Sequence, residues 1–395
     1  MKNHKESIAI SGGGILGLSI GIALLKKQPS LSVTVFEKEA DLGSHASGRN
    51  SGVLHAGFYY SPDSLKAKFC REGNEQLRFF IAKYGVPYIN PGKIVLAQNI
   101  AQVAGLQKLY DRGVANGVQL EIRTQKELVD LEPLAKSDFD FLWSPTTGVS
   151  DPLKLIQALG CEFLSMGGEI KYNSHISFVN QLTLNGKVLK CDHFVNASGS
   201  FATEVAQKMG FAKNYRTMPF LGTYKQVPVE KLPLSRLIYP VPHPVNPFLG
   251  VHFTLSIDGK IKIGPTAIPV LGKEQYGLSS KFALSDLTTF LRNVLSINSG
   301  EKHNLASIAL SEYPNLFEKT LIDRSSHLVP SVKSVKGWER KRPGIRAQLL
   351  DIRNGELVQD FIVEGDAKST HILNAVSPGW TAALPFGDYV AQSIL

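Results

Sequence analysis

Cysteine is scarce in this chain, and long apolar runs are missing. Cys70, Cys161 and Cys191 are widely spaced and form no C-x-x-C pair. That argues against a disulfide framework or a structural zinc, and a reducing compartment is expected. No stretch approaches the roughly 18 apolar residues of a bilayer span. The start, Met1 to Ser7, leads straight into an apolar run with no room for a signal peptide, so a cytoplasmic protein is expected. Internal repeats and low-complexity linkers are absent. So are an H-x-x-x-H spacing or Cys/His cluster for a metal, a G-x-S-x-G elbow and a G-x-x-x-x-G-K-[ST] loop. Metal ligation, serine hydrolysis and P-loop hydrolysis therefore find no support.

The composition is otherwise that of an ordinary globular protein, 43% hydrophobic and 19% charged, and 395 residues exceed what one core usually serves. Two domains are expected. Lys and Arg number 43 against 34 Asp and Glu, a net charge of +9. An excess of this sign suits a small anionic substrate or an anionic membrane surface. The densest basic run, Lys333 to Arg342 around Trp338, reads as a solvated loop. No basic stripe is interleaved with aromatics, so nucleic acid is not an expected partner.

The most informative presence is near the start. An apolar run, Ser7–Ile10, is followed by Gly12, Gly14 and Gly17 in a G-x-G-x-x-G pattern. A helical stretch from Ile15 to about Lys27 follows, then a second apolar run, Val33–Phe36, ending on Glu37, 20 residues after Gly17. Strand, tight turn, helix, strand and acid form the order of a dinucleotide site. Gly12 permits the turn, Gly14 lets backbone approach a pyrophosphate, Gly17 lets helix and strand pack closely, and the helix N-terminus faces the phosphates. Glu37 suits ribose hydroxyls and disfavours a 2′-phosphate.

Further elements follow from punctuation. Ser61-Pro62-Asp63 predicts a capped helix to about Lys83, and Asp151-Pro152 another to about Met166. Asn185-Gly186, Asp258-Gly259 and Asn354-Gly355 each predict a hairpin with a two-residue primed turn. His193–Ala197 reads as a strand leading into small residues and a helix. Ser285 is a candidate cap for an amphipathic helix with Leu287, Phe290, Leu291, Val294 and Leu295 on its apolar face. His371–Ala375 is a last strand, before a proline-glycine break and a helix from about Ala382 to Ile394. The expected fold is α/β: a Rossmann-like nucleotide domain of residues 1–85, 149–210 and 334–395, interleaved with a mostly antiparallel substrate domain of residues 86–148 and 211–333.

The segment Gly43–Tyr60 is crowded with small and hydroxylated residues, with Arg49 among them and His55 flanked by Ala56 and Gly57. Small residues let a chain lie flat on a large planar ligand, and Ser47, Arg49 and Asn50 offer hydrogen bonds to phosphates and ring edges. A flavin needs such a second strip along its ring; a nicotinamide does not.

Here the sequence resembles a known family. The stretch Ser47-Gly-Arg-Asn-Ser-Gly-Val-Leu-His-Ala-Gly-Phe-Tyr-Tyr-Ser-Pro-Asp-Ser-Leu-Lys-Ala-Lys68 looks like the signature of the L-2-hydroxyglutarate dehydrogenases and oxidases, in the D-amino-acid-oxidase-like group of FAD enzymes. Further matches are Leu131–Pro133, Phe194–Gly199, Leu237–Pro242, Leu249–Thr254, Gly344–Gln348 and Asn374–Pro378. Two places depart from the family. Pro219-Phe-Leu-Gly-Thr-Tyr224 has Leu221 and Thr223 where the family usually has arginine and glutamate. Ser377-Pro-Gly-Trp-Thr381 has Gly379-Trp380 where small residues are usual.

The resemblance implies FAD lying extended, its ADP on the Gly12–Gly17 loop and Glu37, its ring system near the His55 segment and the C-terminal helix. The expected cofactor contacts are Gly12, Gly14, Ile15, Gly17, Glu37, Lys38, Ser47, Arg49, Asn50, Ser51, Ala197, Gly199, Gly344, Pro378, Gly379, Thr381 and Ala382, with the C-terminal helix N-terminus stabilising an anionic reduced flavin. His45, His55 and Cys70 are potential covalent attachment points, none of which is expected to be used. Oxidising a 2-hydroxy acid needs a carboxylate clamp, a base and hydride geometry. Arg346 suits the clamp, since guanidinium matches carboxylate in two hydrogen bonds. His55 is the candidate base or flavin-orienting residue and His252 the rival base. Tyr60, Tyr224, Tyr239 and Trp380 are candidate pocket walls, and Gln348 a helper at a second carboxylate. The implied reaction is oxidation of (S)-2-hydroxyglutarate or a related 2-hydroxy acid. The implied acceptors are oxygen or a quinone, the latter reached by peripheral contact with the inner membrane face. An amino-acid, amine or glycerol-3-phosphate oxidase of the same group stays open, as does a flavin-binding protein without turnover.

Overall fold

A computed structural model of the chain describes residues 6–242, 248–277, 282, 284–298 and 305–395. The nucleotide unit is a six-stranded sheet in the order Ile362–Gly365, Ser369–Leu373, His193–Asn196, Ser7–Ser11, Ser32–Phe36 and Glu169–Lys171. Its strands run parallel except the Ile362–Gly365 edge. A parallel sheet is covered on both faces, which explains why the central strand is apolar without alternation: Ile8, Ala9 and Ile10 are all buried. The helix Ile15–Lys27 is buried from Ile15 through Leu25 between the helices Pro152–Ser165 and Ala383–Ile394.

The second unit holds an eight-stranded sheet, in the order Glu339–Arg340, Lys225–Pro228, Lys260–Gly264, His252–Leu255, Leu237–Pro240, Lys93–Leu96, Phe141–Ser144 and Glu121–Arg123. It is antiparallel apart from the pairing of Leu237–Pro240 with Lys93–Leu96. Alternation sends Ile94, Ile238, Phe253 and Ile263 to one apolar core. Lys93, Tyr239 and His252 occupy the other face by the same registers. A four-stranded antiparallel sheet joins the units: Ile268–Pro269, Tyr215–Gly222, Gly344–Asp351 and Glu356–Leu357. Its register runs Tyr215↔Asp351 to Gly222↔Gly344. The strand Gly344–Asp351 thus pairs with substrate-side chain, although its sequence position groups it with the nucleotide unit.

Three local expectations need correction. The helix expected to be capped by Ser61 and to begin at Pro62 begins at Leu65. Ser61 accepts from Ser64 in a preceding turn; Ser64 is the cap, and Asp360 takes the Leu65 and Lys66 N–H groups at 2.8 and 3.0 Å. Only Asn185-Gly186 is a primed turn, both residues having positive φ; at Asp258-Gly259 and Asn354-Gly355 the glycine alone does, closing four-residue loops. Ser285 lies inside the helix Leu284–Asn298. That helix buries Asn293 and Ile297, while Leu291 and Leu295 stand 53% and 73% exposed, because the Asn293 side chain donates to the Thr217 carbonyl.

Candidate active site

A cavity of about 640 Å³ runs from the glycine turn, past the ends of the parallel strands, to the face of the eight-stranded sheet. Its first end is backbone. Gly12 has φ +105°, and its N–H donates to Phe36 O at 2.8 Å. A Cβ on Gly17 would strike the Gly12 carbonyl oxygen. The helix N-terminus at Gly14 has no side-chain cap of its own; Ile15 N donates to Ser47 Oγ at 3.0 Å. Glu37 is buried and aimed by two amides, Gly13 N at 2.9 Å and Glu39 N at 3.0 Å. An amide-lined turn, a fixed carboxylate and a floor of small residues fit an extended dinucleotide.

Of the expected cofactor contacts, Gly12, Gly14, Ile15, Glu37, Lys38, Ser47, Arg49, Asn50, Ser51, Ala197, Gly199, Gly344, Pro378, Gly379 and Thr381 line the cavity. Gly17 and Ala382 are not on its wall. Two side chains expected to serve the ligand are spent on the fold. Arg49 donates to Ser44 O and Pro343 O at 2.6 and 3.2 Å and lies 3.8 Å from the centre of the Tyr276 ring. Asn50 donates to Ser47 O and accepts from Gly52 N.

The second end is made of side chains. His55 is clamped through its backbone: Thr381 Oγ1 accepts from its N–H at 3.1 Å, and Asn74 donates to its carbonyl at 3.1 Å. Thr381 also donates to Val53 O at 3.3 Å, tying the strip to the C-terminal helix. Burial, with the Lys93 charge next, holds His55 well below the usual imidazole value. His252 stacks on Tyr239, ring centres 3.7 Å apart, and its Nδ1 lies 2.8 Å from Gly250 O. Burial takes its pKa down to about 3, so it stays neutral, as His55 does, and what sets it apart is that its Nδ1 is already engaged with the Gly250 carbonyl. Arg346 also lines the cavity, 5.5 Å from the Phe248 ring, and forms no ion pair with a described carboxylate. Tyr224, Tyr239 and Trp380 complete the wall. Burial raises the phenols of Tyr224 and Tyr239, which stay protonated.

Tyr60 and Gln348 are not on the cavity wall. The Tyr60 hydroxyl bonds to Ser377, and burial raises it. Gln348 donates to Val358 O at 2.7 Å and to Asn374 at 3.3 Å, which leaves it nothing for a second carboxylate. Leu221 is buried against Ile268, Val270 and Ile345, and the Thr223 hydroxyl lies 3.1 Å from that of Thr266. The altered motif therefore changes packing beside the cavity, whereas Trp380 changes the cavity itself.

Sequence reasoning missed Lys93, fully buried, its Nζ 3.4 Å from His55 Nδ1. It also missed a clasp over the cavity rim. Glu274 pairs with Lys38 and lies 3.2 Å from His45, which also bonds Glu39 at 2.8 Å and Tyr276 at 2.6 Å; Lys273 pairs with Glu204. Glu39, His45 and Glu274 present donor atoms within 4.8 Å of one another, as a metal site would, but the Lys38 ammonium already sits among them. No local pattern announces either group.

Known proteins carry the same plan. The family model described as FAD dependent oxidoreductase, DAO, matches residues 7–393. The L-2-hydroxyglutarate dehydrogenase of Escherichia coli K12 is 32% identical, over 98% of this chain and 92% of that one. The human mitochondrial L-2-hydroxyglutarate dehydrogenase is 31% identical, over 98% and 88%. Among solved structures, the FAD-bound L-alpha-glycerophosphate oxidase of Mycoplasma pneumoniae superposes with a TM-score of 0.75 at 23% identity, covering 99% of this chain and 95% of that one. With the glycine turn, the small-residue strip and the cavity between them, these matches place the chain in the DAO family of FAD-dependent oxidoreductases, with FAD as its cofactor.

Proposed function

We propose that the protein oxidises (S)-2-hydroxyglutarate to 2-oxoglutarate, with Arg346 as the carboxylate clamp and His55 as the group that takes the hydroxyl proton. The observation that carries this is Arg346 itself: a guanidinium on the cavity wall with no ion-pair partner among the described carboxylates, beside an imidazole held neutral. An unpaired cation in a pocket is costly unless the ligand supplies the anion. Bound FAD supplies the acceptor for the C2 hydride. The chain does the rest. Arg346 orients the carboxylate in two hydrogen bonds, the neutral imidazole faces the hydroxyl, and Tyr224, Tyr239, His252 and Trp380 keep water from the reacting carbon. The dehydrogenases named above carry this substrate in their names, and the family motifs cover both cavity ends.

The electrons pass on to oxygen or to a quinone. We place the protein in the cytoplasm, in peripheral contact with the inner membrane face when a quinone is the acceptor. No helix of the described residues is long and apolar enough to cross a membrane.

Anaerobic mixing of the yellow holoenzyme with a panel of small anions tests the substrate. Bleaching by (S)-2-hydroxyglutarate, faster than by glycine, glycerol 3-phosphate or lactate, is expected. Faster bleaching by an amino acid or by glycerol 3-phosphate moves the protein elsewhere in the family. No bleaching by any of them leaves a flavin protein without this turnover.

A further inference from the structure

A lysine in a protein interior nearly always meets a carboxylate, and Lys93 does not. Its residue is fully buried in the eight-stranded sheet, and no described carboxylate lies within ion-pairing distance. Its Nζ instead lies among aromatic faces, 4.2 Å from the Tyr239 ring centre, 5.0 Å from Tyr59 and 5.6 Å from Phe58. Among the described residues, the titratable nitrogen it meets is Nδ1 of His55, at 3.4 Å. Aromatic faces tolerate an ammonium without fixing it, and they equally accommodate the neutral amine.

We propose that Lys93 and His55 form a proton-sharing pair in which the Lys93 amine accepts the Nδ1 hydrogen of His55, leaving Nε2 as the lone pair that meets the substrate. The proposal rests on the function given above and adds a positioning residue to it. A carboxylate in that place would raise the basicity of His55 and leave it charged; an amine does neither. With Lys93 neutral, Nδ1–H donates to Nζ and Nε2 is a free acceptor. With Lys93 protonated, Nζ–H donates to Nδ1, the hydrogen moves to Nε2, and the imidazole presents a donor instead of a base.

In the productive form the C2 hydroxyl proton passes to Nε2 as the C2–O bond becomes a carbonyl, the C2 hydride leaving to the two-electron acceptor that bound FAD would supply. The Nδ1 hydrogen then moves to Nζ, so the proton rests as an ammonium and His55 is neutral again. Atoms and charge balance: one alcohol becomes one ketone, two electrons leave with the hydride, and one proton stays on Lys93. The proton affinities run the right way. Burial pulls Lys93 down to about 7, so it is free to accept a proton near neutrality, whereas His55 is held well below its usual value. The other groups facing the pair do not compete. His252 is down at about 3 and Cys70 up at about 12; Tyr59, Tyr60 and Tyr239 are raised further, and Arg346 is a fixed cation.

The test uses the holoenzyme and its Lys93→Met and Lys93→Arg variants. Anaerobic flavin reduction by (S)-2-hydroxyglutarate is followed from pH 5.5 to 9. In the wild type the rate should rise about tenfold per pH unit on an acid limb near neutrality and then level. Lys93→Met should be about 30-fold slower or more and lose that limb. Lys93→Arg, always charged, should be slow at every pH. Histidine ¹⁵N spectra of the oxidised holoenzyme read the tautomer without any substrate. His55 should carry its hydrogen on Nδ1 above the limb and on Nε2 below it, and show no such switch in Lys93→Met. Retained FAD absorbance confirms that the variants fold. A Lys93→Met or Lys93→Arg enzyme within threefold of wild type, with the limb intact, overturns the pairing, as does a His55 tautomer that does not change with pH. A tautomer switch without reduction by 2-hydroxyglutarate upholds the pairing and sinks the substrate.

Discussion

The two ends of the cavity are made of different materials. The dinucleotide end is backbone: a glycine turn, an uncapped helix N-terminus, and one carboxylate aimed by two amides. Even its polar side chains, Arg49 and Asn50, serve the loop that carries them. The proposed substrate end is side chain: His55 from the strip, Arg346 from the joining sheet and His252 from the large sheet, with the buried Lys93 of that sheet against His55. Backbone sites break when something is added, and side-chain sites break when something is removed.

The largest effect therefore comes from adding one methyl group. Gly17→Ala drives a Cβ into the Gly12 carbonyl, forcing helix and turn apart. The protein should purify colourless, several kcal/mol less stable to denaturant. Removing the guanidinium by Arg346→Met should leave FAD bound and the yellow colour intact, yet lower kcat/KM for the hydroxy acid about a thousandfold, mostly through KM. Lost colour in the arginine variant, or kept colour in the glycine one, would erase the contrast between the ends.

Lys93→Met should also change the pH dependence of stability. In the unfolded chain this lysine holds its proton up to the usual ammonium range, but in the fold only up to about 7. Between those values the unfolded state binds the extra proton, so wild-type stability rises with pH and is lowest at and below neutrality. Chemical denaturation at pH 7 and pH 9.5 should show the variant gaining a few kcal/mol over wild type at the lower pH and less at the higher. A variant less stable at both would mean that Lys93 is held as an ammonium by packing alone. The smallest effect belongs to the rim. Glu274→Gln breaks the partly exposed clasp to Lys38 and His45 and should speed FAD dissociation only a few-fold, because exposed ion pairs are worth about 0–1 kcal/mol.

The same division explains what could be read from the residues alone. A turn, a helix start and an acid at fixed spacing are local, so Gly12 to Glu37 announced both their structure and their ligand. Asp151-Pro152 announced its helix because the cap and the first-turn proline are adjacent. Lys93 gave no signal, since a lysine entering an apolar strand looks like an exposed edge; only the register placing it beside Leu237 and under the Tyr239 ring shows it is buried. Gln348 misled for the opposite reason. It shares a motif and a strand with Arg346, but Val358, just past the next hairpin, and Asn374, after the last strand, take its amide. Turn types failed where the pair of residues was right but the loop was four residues long, as at Asn354-Gly355, where Gly355 N bonds to Asp351 O.

The most direct measurement is a crystal structure of the yellow holoenzyme soaked with 2-oxoglutarate. The Arg346 guanidinium should grip a carboxylate in two hydrogen bonds, with the product carbonyl oxygen at His55 Nε2 and the diphosphate of FAD against the Gly12–Ile15 turn. A carboxylate bound elsewhere in the cavity, with Arg346 turned away from it, would contradict the account.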